Sequence, residues 1–289
     1  MFHYDFLKYR VPSAVLSVAI VLIGIVAYVV KGGFRYSVDF TGGTEFRVRF
    51  DQEEDTAAIK KAVHEQWKGT VYSILGSHEL IVRVQESVNV VPDLDKKVLA
   101  TVNDASPANA ATLIQVNSIS NSVGKTLWSK FLKAAVLSLL LMLLYITISF
   151  QFAFAVGAIV GVAHDALIVL TFFLVFDKEI SVEVIGAILA VLAYSINDTI
   201  IIFSRIRQNL KKVKGQSLYN IVNMSLNQTL RRTILTSSAT ALVVLSQFIL
   251  GGPTIRDLSF SLLLGIVFGA FSSIYIASPV MMLFSKDKN

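Results

Sequence analysis

Tyr194-Ser-Ile-Asn-Asp-Thr-Ile-Ile-Ile-Phe-Ser-Arg-Ile-Arg207 sets a carboxylate, Asp198, inside a run otherwise apolar enough to cross a membrane. Apolar residues extend from Val182 to Ile196 on one side and from Ile200 to Phe203 on the other. A charge at that depth costs roughly 2.5–3.5 kcal/mol on insertion scales and by default marks a path for ions or protons. Working outward, apolar tracts long enough to span, about 20 residues each, occur at 12–30, 129–149, 152–176, 181–203, 231–250 and 258–284. The pattern predicts a polytopic α-helical membrane protein with six transmembrane helices. The composition agrees, because 54% of residues are hydrophobic and only 16% charged, unlike a soluble domain.

The first tract follows Lys8 and Arg10 as a signal peptide would, but its apolar core is too long and no small-x-small site precedes Lys31-Gly32-Gly33. It reads as a retained anchor. Basic residues in short connections set orientation. Lys8 and Arg10, the run Arg205, Arg207, Lys211, Lys212, Lys214, Arg231 and Arg232, and Lys286 with Lys288 all fall on one side of six spans. That side is expected to be the cytoplasm, with both termini in it. The segment 31–122 carries 12 acidic and 10 basic residues and lies outside. The chain therefore divides into a cytoplasmic N-terminus with the first transmembrane helix (1–30), an extracytoplasmic domain (31–124), and transmembrane helices 2–6 with a cytoplasmic loop at 204–230 (125–289). The net charge of +6 comes from the membrane half and its rims. A nucleic-acid partner, which would want that charge on a folded soluble face, is not expected; the lipid bilayer is. With no cysteine, disulfides and thiolate metal sites are excluded.

Between the first two spans the periodicity changes. Thr44 to Phe50 alternates as a half-buried strand does, Asp55 to Trp67 has one apolar helical face, and Val71 to Leu75 and Leu80 to Val84 read as strands joined at Gly76–Glu79. Pro92 to Val102 is helix-like and Thr112 to Ile119 strand-like. Strand-helix-strand-strand-helix-strand is the ferredoxin-like split motif, so an extracytoplasmic α+β domain is expected between helices 1 and 2. Its task is contact with a polypeptide or with a partner's outer domain. Val38-Asp-Phe-Thr-Gly-Gly-Thr44 precedes the first strand and reads from its residues alone as a tight turn.

Chemical motifs are few. Val123-Gly-Lys-Thr126 looks like the end of a phosphate loop, but Ile119 stands where the first glycine belongs. His3, His64, His78 and His164 lack metal spacing, and no nucleophile-base arrangement points to an enzyme. The polar residues of the spans are more informative. Counted from the outer boundary, Asp198 lies 18 residues down span four and Arg232 19 residues down span five. Both are then about 27–28 Å deep at 1.5 Å per residue. An acid and a base at matched depth on consecutive helices can neutralise each other. The competing partner, Arg205, is seven residues on, a long reach of roughly 10 Å along the same face. Asn197 is a polar neighbour, and Thr233, Thr236, Ser237 and Thr240 form a stripe that lines a hydrated path or bonds its own backbone. Asp165, beside His164 in span three, is a second relay candidate or a structural hydrogen-bonding group. Gly157-x-x-x-Gly161 and Gly265-x-x-x-Gly269 are close-packing faces.

Asp39-Phe-Thr-Gly-Gly-Thr44, Tyr194–Thr199 leading to Arg205-Ile-Arg207, Asn227–Ser237, Gly251-Gly252 and Ser272-Ser-Ile-Tyr-Ile-Ala-Ser-Pro279 resemble, over nearly the whole chain, the SecD/SecF family of bacterial protein-export membrane proteins. That family is similar to RND-type transporters, each of its two members supplying six spans. The resemblance implies a non-enzymatic subunit in the cytoplasmic (inner) membrane that partners SecD and the SecYEG translocon, with YajC as a further candidate. It draws unfolded preproteins outward using the proton motive force, with H+ as coupling ion and no cofactor. Asp198 and Arg232, with Thr236 one turn away, match the family's proton-path positions, and Asp39, Phe40, Thr41, Gly42 and Gly43 match its signature turn. Ser204 departs from the acid common before Arg205, leaving open how that helix end is tied down. Two rivals are half of an RND-type small-molecule or lipid exporter, and a static scaffold for the translocon.

Overall fold

The computed structural model describes residues 4–52, 56–73, 78–86, 88, 90–119 and 121–285. The end of the strand expected over Val71–Leu75 and the first half of the Gly76–Glu79 connection lie outside the described residues, as do the start of the Asp55 helix and the C-terminal lysines. Among the described residues six helical segments are long and apolar enough to cross a membrane, Leu7–Lys31, Thr126–Ser149, Phe152–Val175, Val182–Lys212, Leu218–Leu250 and Ile255–Phe284.

The first span is a 3₁₀ turn, Leu7–Tyr9, running into α1, Arg10–Lys31, which ends where Gly32 turns left-handed at φ 74°. The chain then forms β1, Arg35–Tyr36, and a single helical turn, α2, Val38–Thr41. Next come β2, Gly43–Arg49; α3, Thr56–Trp67; β3, Thr70–Ser73; β4, Glu79–Val84; α4, Leu94–Ala105; and β5, Thr112–Ile119. The four longer strands lie in the order β3-β4-β2-β5, each antiparallel to its neighbour. Their alternation puts Phe46, Val48, Leu80, Val82 and Val84 on one face, where they are buried with Ile59 and Val63 of α3 and Val98 and Val102 of α4. Glu45, Arg47, Arg49 and Arg83 occupy the opposite face and pair across the strands, Arg47 and Arg49 both on Glu79 and Arg83 on Glu45.

The remaining spans are α5, Asn121–Ser149; α6, Phe152–Val175; α7, Val182–Lys212; α8, Leu218–Leu250; and α9, Pro253–Ser272, which passes through a π turn at Ser273–Ala277 into α10, Ser278–Phe284. Between α6 and α7 lies β6, Glu179–Ile180, parallel to β1. Serine hydroxyls start α7 and α8: Ser181 Oγ accepts from Val184 N and Ser217 Oγ from Asn220 N, each at 3.3 Å. The basic connection expected over 204–230 is mostly helix, because α7 continues to Lys212 and α8 begins at Leu218. At about 1.5 Å per residue both helices outreach the hydrocarbon core, and the break falls where Gly215 takes φ 77°.

Helices α6, α7 and α9 are the most buried and form the centre of the membrane half, whereas α1, α5 and α8 expose most of their apolar surface. Both glycine pairs sit at these central contacts. A Cβ on Gly265 would overlap the side chain of Val191, and one on Gly157 would press on the Ala277 carbonyl and Met281, so backbones approach here as small residues allow.

Candidate functional site

Asp165 is fully buried, and a carboxyl group so placed needs donors. Helix packing supplies two, and the preceding residue adds a third contact. His164 Nδ1 lies 3.1 Å from Oδ1, while Ser195 of α7 and Ser272 of α9 both donate to Oδ2, Ser272 at 2.9 Å. The other imidazole nitrogen, His164 Nε2, is 3.0 Å from Ser17 Oγ on α1. One carboxylate therefore joins α1, α6, α7 and α9. These bonds are what a structural hydrogen-bonding group makes, and they leave both roles open to Asp165.

The π turn explains why α9 reaches it. Pro279 has no N–H to donate four residues back, and the helix widens just before it. Ser278 Oγ bonds the Ser273 carbonyl at 2.8 Å, and Ser272 and Ser273 are held buried against α6 and α7. Ser273 Oγ lies 2.8 Å from Thr199 Oγ1, which itself bonds the Ser195 carbonyl at 3.1 Å. Ser195 thus stands between two groups, its hydroxyl on Asp165 and its carbonyl accepting from Thr199, the residue beside Asp198. Ser17, Ser195, Thr199, Ser272 and Ser273 were not among the residues expected from the spans. Their sequence signal is faint: hydroxyls near the depth of Asp165, and a serine pair shortly before an intramembrane proline.

Asp198 is 2% exposed. Among the described residues its carboxylate takes one hydrogen bond, from Ser237 Oγ of α8 at 3.5 Å. The direct ion pair with Arg232 suggested by matched depth is not formed, for Arg232 is exposed and no Asp198–Arg232 bridge occurs within 4.0 Å among the described residues. Depth along the axis was the wrong coordinate on its own. Ser237 is five residues past Arg232, so the two project roughly 140° apart round a 3.6-residue helix, and α8 turns Ser237 to Asp198. Asn197 likewise projects away from its neighbour and is exposed. Thr236, exposed, donates to the Arg232 carbonyl at 3.0 Å, and Thr240 returns to Thr236 O, so two of the four hydroxyls of the stripe bond their own backbone. Arg232 and Thr236 therefore lie together on an open face of α8.

Arg205 does not reach Asp198 either; its Nε donates to Gln228 of α8 at 2.7 Å. With Arg207 on the Ser149 carbonyl and Asn209 on Ser225 and Gln228, the C-terminal end of α7 is held without an acid at Ser204.

The signature turn lies at the other end of α7. Asp39 Oδ2 accepts from Ser37 Oγ at 2.7 Å and from the Val182 N–H at 3.4 Å. Phe40 is buried against Val169, Phe173, Ile180 and Val184, with its ring edge on Trp128. Thr41 Oγ1 donates to Ser37 O. Gly42 and Gly43, at φ 73° and 139°, take the chain into β2 through conformations that favour glycine. It is a turn, as its residues read, but one packed against three spans. Among the described residues no three His, Asp or Glu gather as metal ligands.

Residues 98–287 match the family model described as protein export membrane protein SecD/SecF, C-terminal, and residues 29–54 match that of the SecD/SecF GG motif. Protein translocase subunit SecF of Rhodothermus marinus is 33% identical over 288 residues, covering 97% of this chain and 92% of that protein. The SecF subunit of Petrotoga mobilis is 34% identical over 290 residues, covering 96% and 95%. The crystal structure of SecDF from Thermus thermophilus, described as a translocon-associated membrane protein, superposes with a TM-score of 0.84 at 28% identity over 98% of this chain. This chain spans 39% of that one. SecDF in its super-membrane-facing form gives a TM-score of 0.72.

Proposed function

This chain belongs to the SecD/SecF family of protein-export membrane proteins, and on that premise we propose that it is the SecF-type subunit of the Sec translocase, coupling proton movement to preprotein export. The observation that carries the coupling is Asp198, buried within a spanning helix and, among the described residues, hydrogen-bonded by one hydroxyl of the next helix, with Arg232 and Thr236 on the adjoining open face. A carboxylate so weakly satisfied exchanges a proton at small structural expense. Each charge crossing the membrane supplies about 2.3 kcal/mol per 100 mV, enough to bias a conformational equilibrium of a few kcal/mol.

The chain supplies half of such a device. On α7, Gly186, Ala190, Ala193 and Asn197 form an exposed stripe beside the open face of α8. A second set of six spans laid there would bring its own polar groups to Arg232. SecD is that partner on this reading, which the likeness to part of the longer SecDF chain supports. SecYEG, YajC and the emerging preprotein complete the assembly. The basic rims at Lys8, Arg10 and 205–214 favour a cytoplasmic-membrane orientation with both termini inside. Residues 31–124 then form an extracytoplasmic domain, and the antiparallel order β3-β4-β2-β5 with α3 and α4 on one face supports a ferredoxin-like fold for it.

The test is Asp198→Asn, assembled with SecD and SecYEG in inverted vesicles. Loss of the gradient-stimulated part of preprotein translocation is expected, with the gradient-independent part retained. Unchanged stimulation refutes the coupling role.

A further inference from the structure

The signature turn touches the helix that carries Asp198. Three links join the start of the outer domain to the α6–α7 connection. Strand β1 pairs in parallel with β6, Arg35 opposite Glu179 and Tyr36 opposite Ile180, and Ser37 N continues the ladder to Ile180 O at 3.0 Å. Arg35 and Lys31 both pair with Asp177, at 2.5 and 3.5 Å. Asp39 accepts the Val182 N–H, the first residue of α7.

The last link differs in kind from the others. The first turn of a helix leaves its N–H groups without internal partners. At α7 one of them, Val184 N, is met locally by Ser181, and another, Val182 N, by a carboxylate 143 residues earlier in the chain. A negative group there also faces the positive end of the helix dipole. Four residues beyond Asp39 the chain enters β2, a central strand of the outer sheet. Asp198 is 16 residues along the same α7, about 24 Å from Val182. One carboxylate thus stands between the helix bearing the intramembrane acid and the middle of the outer sheet.

Resting on the coupling role proposed for Asp198, we propose that Asp39 is a positioning residue: by capping α7 it passes displacement of that helix to β2, making the glycine turn the transmission joint between membrane and outer domain.

Because the chain has no cysteine, spin labels can be placed at will on the complex with a cysteine-free partner. One pair, Ser73→Cys on β3 and Gln208→Cys on α7, reports sheet against helix. A second, Gln208→Cys and Asn220→Cys on α8, reports helix against helix. All of these positions are exposed. Asp198→Asn, which mimics the protonated acid, is expected to shift both distances. Adding Asp39→Ala is expected to abolish the first shift and keep the second. Val182→Pro provides an independent version, since it deletes the accepted N–H at a helix position that tolerates proline. It should reproduce the loss and make Asp39→Ala without further effect, and it decides the matter if Asp39→Ala does not assemble. A first shift that persists in these variants overturns the role of Asp39 and leaves the coupling role standing. No shift in either pair with Asp39 intact overturns both.

Discussion

Ser195 and Ser272 donate to the same oxygen, Asp165 Oδ2, while His164 serves Oδ1, and this sharing makes a non-additive effect the expected outcome of removing them. With Ser195→Ala or Ser272→Ala alone, Oδ2 keeps one donor. Interhelical hydrogen bonds in membranes average about 0.6 kcal/mol and reach about 1.7, so each single variant should lose about 1 kcal/mol. The double variant leaves Oδ2 bare in a residue with no exposed surface. An orphaned buried acceptor costs about 1–3 kcal/mol, and more when charged. The double loss should therefore exceed the sum of the singles by about 1–2 kcal/mol, within the usual range for neighbours that share a partner. Equilibrium unfolding in mixed micelles, driven by a denaturing detergent, measures all four corners of the cycle. Additivity within about 0.3 kcal/mol would refute the shared oxygen and with it the four-helix junction.

Gly265→Val should strongly reduce the yield of folded protein, because its Cβ already overlaps Val191 and overpacking costs typically 1–3 kcal/mol or more. Gly186→Ala, with open space around it in this chain, should leave the yield of the isolated chain unchanged; solubilised yield compares the two. In the four-stranded sheet, hydrogen bonds from Arg49 and then Arg47 hold the Glu79 carboxyl below its ordinary range, outweighing the opposing effect of burial. A carboxyl lowered in the folded state stabilises above its unfolded pKa, and that contribution is lost as pH falls through the folded one. Acid should therefore loosen the β2–β4 pairing, with earlier loss of amide protection there. Glu79→Gln should flatten the pH dependence, and an unflattened profile would assign it to other groups.

The number of spans, the intramembrane acids and the strand and helix order of the segment between the first two spans could all be read from one dimension. Hydropathy counts length against a fixed bilayer thickness, and alternation reports a half-buried strand whatever its partner is. The glycine pairs were also legible as packing faces, since small residues in a spanning helix have few other uses. The candidate site was legible only in part. Asp165 and Asp198 stood out because charge in lipid is costly, but serine and threonine are cheap enough there to pass unnoticed. Ser17, Ser195, Ser272 and Ser273 gained meaning only once α1, α7 and α9 were packed round α6.

Sequence by itself thus determined which segments are long and apolar enough to enter a membrane and how far along each its polar groups stand, because distance along a helix is residue count multiplied by helical rise. Tertiary structure alone decided what each group meets. Azimuth follows from the rotation each helix adopts when its bulky and small residues interlock with neighbours. That rotation turns Ser237, and not Arg232, toward Asp198. It also delivers two serines to Asp165 and brings Asp39 to the start of a helix 143 residues away.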